Sequence, residues 1–151
     1  MTMKKIEIDT FLKFRFLSNP HFSPDGTKIA FTVSVPDRET NGYLSDLYLY
    51  DLGKKTVSRV TCAGDAKIWS WTAENTLIFT AARTAALKKE KENGTSFFYE
   101  ISPSGGEASC RASVPASVTG IRLLPDGRYL LTIRHDNYKD TRKKSYEVFD
   151  E

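Results

Sequence analysis

The turn Ser23-Pro24-Asp25-Gly26, with Phe22 before it and the β-prone run Ile29-Ala30-Phe31-Thr32-Val33 after it, constrains this chain more than any other stretch. Pro24 presets φ at the second turn position, the Asp25 carboxylate can take up backbone N–H groups ahead of it, and Gly26 accepts the positive φ that a side chain resists. The stretch predicts a tight antiparallel hairpin. Its pattern recurs as Leu123-Leu124-Pro125-Asp126-Gly127 before Tyr129-Leu130-Leu131-Thr132. A degraded copy lies between them, in which Trp71-Thr72-Ala73-Glu74-Asn75 leads into Leu77-Ile78-Phe79-Thr80. There Asn75 replaces the turn glycine, as the residue next most tolerant of positive φ.

The anchors Phe22, Trp71 and Leu123 stand about 50 residues apart, a spacing that suits β-propeller blades and exceeds ankyrin, tetratricopeptide and leucine-rich repeats. A second register repeats with the first: Asp46-Leu47-Tyr48-Leu49-Tyr50-Asp51-Leu52 is echoed by Thr95-Ser96-Phe97-Phe98-Tyr99-Glu100-Ile101. The expected fold is all-β, a partial β-propeller of about three four-stranded antiparallel blades, the last incomplete. The blades are expected over residues 19–61, 68–113 and 118–151, each starting with its innermost strand. Residues 1–18 form a lead-in, in which Asp9-Thr10 precedes a short helix whose Phe11, Leu12 and Phe14 can dock on a sheet.

Between the second and third strands of each blade runs a polar connection: Pro36 to Ser45, Arg83 to Thr95, and His135 to Lys144. These are expected on one face, opposite the Ser-Pro-Asp-Gly turns. Ala85 to Glu92 holds helix formers throughout and reads as a short helix.

With a net charge of +3 and 40% hydrophobic residues, the chain has the composition of a soluble globular protein. No apolar run is long enough to span a bilayer, and Glu7 and Asp9 interrupt the N-terminus where a signal peptide needs apolar residues. Location is expected to be cytoplasmic. Its charges are interleaved rather than gathered in a basic stripe, which argues against nucleic acid as a partner. Cys62 and Cys110 fall at outer positions of successive repeats and are expected as free thiols in a reducing compartment. Asn93-Gly94-Thr95 matches a glycosylation sequon but reads as a polar loop tip.

Catalytic chemistry finds no footing. A Gly-x-Ser-x-Gly elbow would need glycine where Phe98 follows Gly94-Thr95-Ser96. His21 and His135 are isolated and read as structural or exposed residues, and together with two distant cysteines they supply no metal-ligand spacing. Asp46, Asp51 and Glu100 alternate with apolar strand residues and read as solvent-facing. Trp69 and Trp71 share one strand face and read as packing between blades. No catalytic, metal or cofactor residue is assigned.

Taken in order, Asp9 to Leu17, then Asn19-Pro20-His21-Phe22-Ser23-Pro24-Asp25-Gly26-Thr27-Lys28-Ile29-Ala30-Phe31, then Asp46 to Asp51, resemble the start of the N-terminal propeller of prolyl oligopeptidase family serine peptidases, in the acylaminoacyl-peptidase and dipeptidyl-peptidase-like branch. The resemblance implies a C-terminal α/β-hydrolase domain with a Ser, Asp, His triad that these residues do not include. It implies a propeller fragment, itself without peptidase activity, that gates and positions peptide substrates for that domain. Bare blade faces and strand edges would drive such a fragment to self-associate, through Phe31, Val33, Tyr48 and Tyr50 at one end and Tyr129, Leu131 and Ile133 at the other, or leave it partly disordered at its C-terminal end. The alternative is a TolB-like propeller acting as a protein-binding scaffold.

Overall fold

The computed structural model describes residues 8–134. The first sheet orders β1 (Phe16–Phe22), β2 (Lys28–Asp37), β3 (Gly42–Asp51) and β4 (Thr56–Arg59) as β1-β2-β3-β4. A second sheet repeats this with β5 (Trp69–Trp71), β6 (Leu77–Thr80), β7 (Ser96–Ile101) and β8 (Ser109–Val114). A third holds β9 (Ser117–Leu123) and β10 (Tyr129–Arg134). All strand pairs within the sheets are antiparallel. The fold is all-β, of propeller blades in sequence, with the ring not closed. The expected third and fourth strands of the last blade, with His135 and the loop to Lys144, lie outside the described residues.

Turn chemistry builds each hairpin as the sequence implies. Gly26 and Gly127 have φ of 68° and 82°, and Asn75 takes φ 60° in the degraded copy. Ser23 Oγ donates to Asp25 Oδ1 at 2.6 Å, and Asp25 Oδ1 also accepts from the Thr27 N–H at 3.0 Å. The turn is thus closed around one carboxylate.

Two expectations about the first sheet are corrected. The connection expected from Pro36 to Ser45 is mostly strand: β2 and β3 pair as far as Asp37 with Gly42, leaving only residues 38–41 as a turn. Asp37 caps it, accepting from the Thr40 N–H, and Asn41 takes φ 48°. Pro36 does not break β2. The Ser45 N–H points away from β2, to Gly64 O, so Ser34–Ser45 and, two residues on, Pro36–Tyr43 exchange no ladder bonds. The donor that Pro36 lacks would have faced an edge left empty where β1 stops pairing, at Phe16 with Ser34. β1 itself starts at Phe16, ahead of Asn19, across a bulge between Ser18 and His21 where Asn19 has φ 55°.

The lead-in is a 3-10 turn, Ile8–Lys13, packed on β2. Leu12 is half-buried, while Phe11 and Phe14 remain exposed, so the expected docking is carried by fewer side chains than the sequence offered. Helix α1 (Ala85–Glu92) forms over the expected residues, N-capped by Thr84 Oγ1, which accepts from the Leu87 N–H at 3.2 Å. Leu87 fastens it to the core.

That core lies between the first two sheets. From the first come Ala30, Leu47 and Leu49; from the second come Trp69, Trp71, Leu77, Phe79, Phe97, Tyr99 and Ile101. Cross-strand pairs Trp69–Phe79 and Trp71–Leu77 set one continuous face. Each large side chain removed from water here contributes about 1.5–3 kcal/mol. On the opposite face of the first sheet the expected bare surface is partly covered: Val33 is buried and Phe31, Tyr48 and Tyr50 are half-buried, with Phe31 stacked on Tyr48. Exposed apolar side chains at that end include Leu17 and Val57; at the other, Tyr129 and Ile133 are exposed as expected and Leu131 is half-buried.

Candidate functional site: the wall of the inner strands

The first strand of each sheet lies beside the first strand of the next. Trp71 Nε1 donates to His21 O at 3.1 Å, joining β5 to β1, and β5 packs on β9. Between the three runs a half-open cavity of about 430 Å³.

Its lining includes one equivalent residue from every repeat: His21, Ser70 and Arg122, each immediately before its anchor Phe22, Trp71 or Leu123. Of the three anchors Trp71 is buried and Leu123 half-buried, whereas Phe22 is 64% exposed. His21 is firmly held. Its Nε2 donates to Asn19 Oδ1 at 2.9 Å, and its ring meets Trp69 edge-on at 5.7 Å. Ser70 Oγ donates to Trp71 O at 3.1 Å. His21 is exposed, and these contacts place it in the cavity wall. Ser70 and Arg122 were not singled out in the sequence; their shared position before the anchors is the signal that marks them.

The tryptophans do what their spacing implied. Both are buried between the sheets, and Trp69 Nε1 donates to Thr32 Oγ1 at 2.9 Å across the interface.

Of the three acidic strand residues read as solvent-facing, Asp46 is corrected to enclosed, while Asp51 and Glu100 stay partly exposed. Asp46 is only 7% exposed: it pairs with Arg59 at 2.6 Å, accepts from Thr61 Oγ1 at 2.9 Å, and accepts from the Gly64 N–H at 3.1 Å. It staples the crossing between sheets, and its hydrogen bond raises the Arg59 guanidinium further above its usual range. Glu100, partly buried, accepts from Thr76 Oγ1 and from Arg111 Nε at 2.7 Å. Asp51, also partly buried, accepts the Lys54 N–H at 2.9 Å, which lowers its carboxyl below the usual range, with Lys28 nearby at 3.8 Å.

In the turn face, Asp25 is lowered to about 2, first by the Ser23 hydroxyl and then by the Thr27 N–H and hydroxyl. Cys62 and Cys110 are free and exposed. Among the described residues no group of three His, Cys, Asp or Glu side chains could hold a metal ion, and no helix is long and apolar enough to cross a membrane.

Comparison with known proteins adds the decisive observation. Over 96% of its length the chain is 27% identical to the uncharacterized peptidase YuxL of Bacillus subtilis. The likeness is to a peptidase. The chain spans about a fifth of that relative, 22% of its length. Among solved structures it matches the β-propeller domain of the trilobed protease from Pyrococcus furiosus, which has an open velcro topology, with a TM-score of 0.57 and 16% identity over 81% of this chain and 35% of that one. It also matches the acylaminoacyl peptidase of Pyrococcus horikoshii, with a TM-score of 0.61 and 18% identity over 82% of this chain and 18% of that one. These structures share the fold. No family model matches the chain. The resemblance carried by the Ser-Pro-Asp-Gly repeat and its strands is thus found in both sequence and fold.

Proposed function

We propose that this chain is the N-terminal part of the propeller of a cytoplasmic serine peptidase of the prolyl oligopeptidase family, which gates and positions peptide substrates for an α/β-hydrolase domain of the same protein. The observation that carries the reading is the alignment with a peptidase along nearly the whole chain, on a fold whose inner strands wall one cavity. The chain's own part is non-catalytic: it supplies a stiff sheet scaffold and a lined passage, and nucleophile and base come from the hydrolase domain. The β2–β3 turn and α1 follow strands running the same way in their sheets, so they emerge on one side; we assign that side to the hydrolase domain. Exposed free thiols suit a reducing compartment.

The whole protein carrying this chain should hydrolyse acyl-aminoacyl or dipeptidyl reporters and be labelled at a serine by a fluorophosphonate. A purified, folded whole protein that neither labels nor turns over any such reporter overturns the proposal and favours a binding scaffold. Deleting Ala85 to Glu92 should alter substrate preference or domain docking; unchanged values for both remove the assignment of that face. The 151-residue chain by itself should associate through the exposed Leu17, Val57 and Ile133 surfaces or through free strand edges. Sedimentation at micromolar concentration that finds only monomer refutes this part.

A further inference from the structure

We infer that the wall formed by β1, β5 and β9 contains a carboxylate-binding site centred on Arg122, which selects peptides bearing a carboxylate. The inference rests on the peptidase reading for the peptide class, but its geometry is that of the cavity alone.

The donors in this cavity are mostly committed. His21 has given its Nε2–H to Asn19 Oδ1, and Ser70 has turned its hydroxyl to Trp71 O. Arg122, which is exposed, makes no ion pair among the described residues; Arg15 and Arg134 make none either, but of the three only Arg122 lines the cavity, and Arg38, Arg59, Arg111 and Arg128 each hold a carboxylate while Arg83 lies over the rings of Phe79 and Tyr99. Among the described residues no aspartate or glutamate lines the cavity. Arg122 therefore offers five N–H donors in a planar fork at a cleft whose described lining holds no carboxylate. Such a fork takes a carboxylate by two parallel hydrogen bonds, a geometry that a lysine does not reproduce.

The surroundings favour a peptide carboxylate over a bare anion. Trp69, Trp71 and Leu123 line the same cavity and offer apolar surface to the residue next to the charge. The wall is also set before any ligand arrives. Trp71 is bonded to β1, Trp69 is bonded to Thr32, and His21 is pinned by Asn19 and Trp69, so the ordering that binding requires falls on the exposed Arg122 side chain.

Trp69 and Trp71 are the only tryptophans of the chain and both line the cavity, so its intrinsic fluorescence reports on the site. Three probes titrated into the 151-residue chain separate the sources of charge: trialanine with a free C-terminus, trialanine amide, and acetyl-Ala-Glu-Ala amide. At least one carboxylate probe should give a saturable change at a concentration about tenfold or more below that of the neutral amide, as expected for charge-assisted hydrogen bonds. A response to the first alone marks a C-terminal carboxylate, and a response to the third marks an acidic side chain. The preference should vanish in Arg122→Gln and weaken in Arg122→Lys, with far-UV circular dichroism unchanged. Equal responses to all three probes, or no response to any, overturn the inference. So does a preference that survives in Arg122→Gln; if that variant does not fold, an undiminished preference in Arg122→Lys has the same force. Because these readouts need no turnover, a whole protein without peptidase activity would remove the proposed function and leave the site standing. A turning-over enzyme with no carboxylate preference would do the reverse.

Discussion

The backbone N–H of Asp25 donates to the side-chain oxygen of Asn75 at 3.0 Å, tying the turn of the first sheet to the matching turn of the second. Asn75 occupies the place of the turn glycine, at φ 60°. It meets two demands at once: a tolerance of positive φ, which glycine meets better, and an acceptor for the neighbouring turn, which glycine lacks entirely. What reads in the sequence as a worn repeat is, in the fold, a link between repeats.

Asn75→Gly should therefore destabilise the chain by about 0.5–1.5 kcal/mol through the lost hydrogen bond, although it relaxes the backbone. Asn75→Ala should cost more, adding the strain of a side chain at positive φ, about 1–3 kcal/mol. Urea unfolding that ranks wild type above Gly and Gly above Ala supports the account; Gly equal to or above wild type contradicts it.

The Trp69–Thr32 hydrogen bond is buried between the sheets. Trp69→Phe leaves the Thr32 hydroxyl short of its partner and should cost about 1–3 kcal/mol from this source alone, before any change in packing. Thr32→Val removes the other half. The double variant should lose less than the sum of the singles, and strict additivity in a double-mutant cycle would show that the contact contributes nothing.

Asp46→Ala removes the acceptor shared by Arg59, Thr61 and Gly64. Loss of about 1.5–3 kcal/mol is expected, since these are hydrogen bonds to a charged group. Faster hydrogen exchange should appear at the Gly64 N–H and spare the β1–β2 ladder. An unchanged Gly64 exchange rate would show that the staple is held by other contacts.

Asp25 has its pKa lowered in the fold, so the stability it contributes is complete above the ordinary value of 3.8 and is lost as pH falls through about 2. Thermal melts across that window should show wild type converging on Asp25→Asn as the carboxylate takes up its proton. Curves that stay parallel from neutral pH to about pH 2 would mean that the group titrates alike in folded and unfolded chains.

By itself the sequence determined the blade repeat, because turn residues and strand alternation act over a few neighbours: Pro24, Gly26 and Gly127 impose backbone angles, and Ala85 to Glu92 carries its own helix propensity. Trp69 and Trp71 announced an interface in the same way, since residues two apart must share a strand face. Three things depended on which elements meet. Pro36 is harmless in β2 only because β1 has stopped pairing beside it. Asp46 alternates like a solvent-facing residue but is enclosed, because Arg59 at the end of β4 and Thr61 and Gly64 in the crossing to the next sheet close over it. His21, Ser70 and Arg122 converge on one cavity only once the inner strands of three sheets stand side by side. Local angles are properties of a few residues, whereas burial and convergence are properties of the packed whole, and only the tertiary structure decides them.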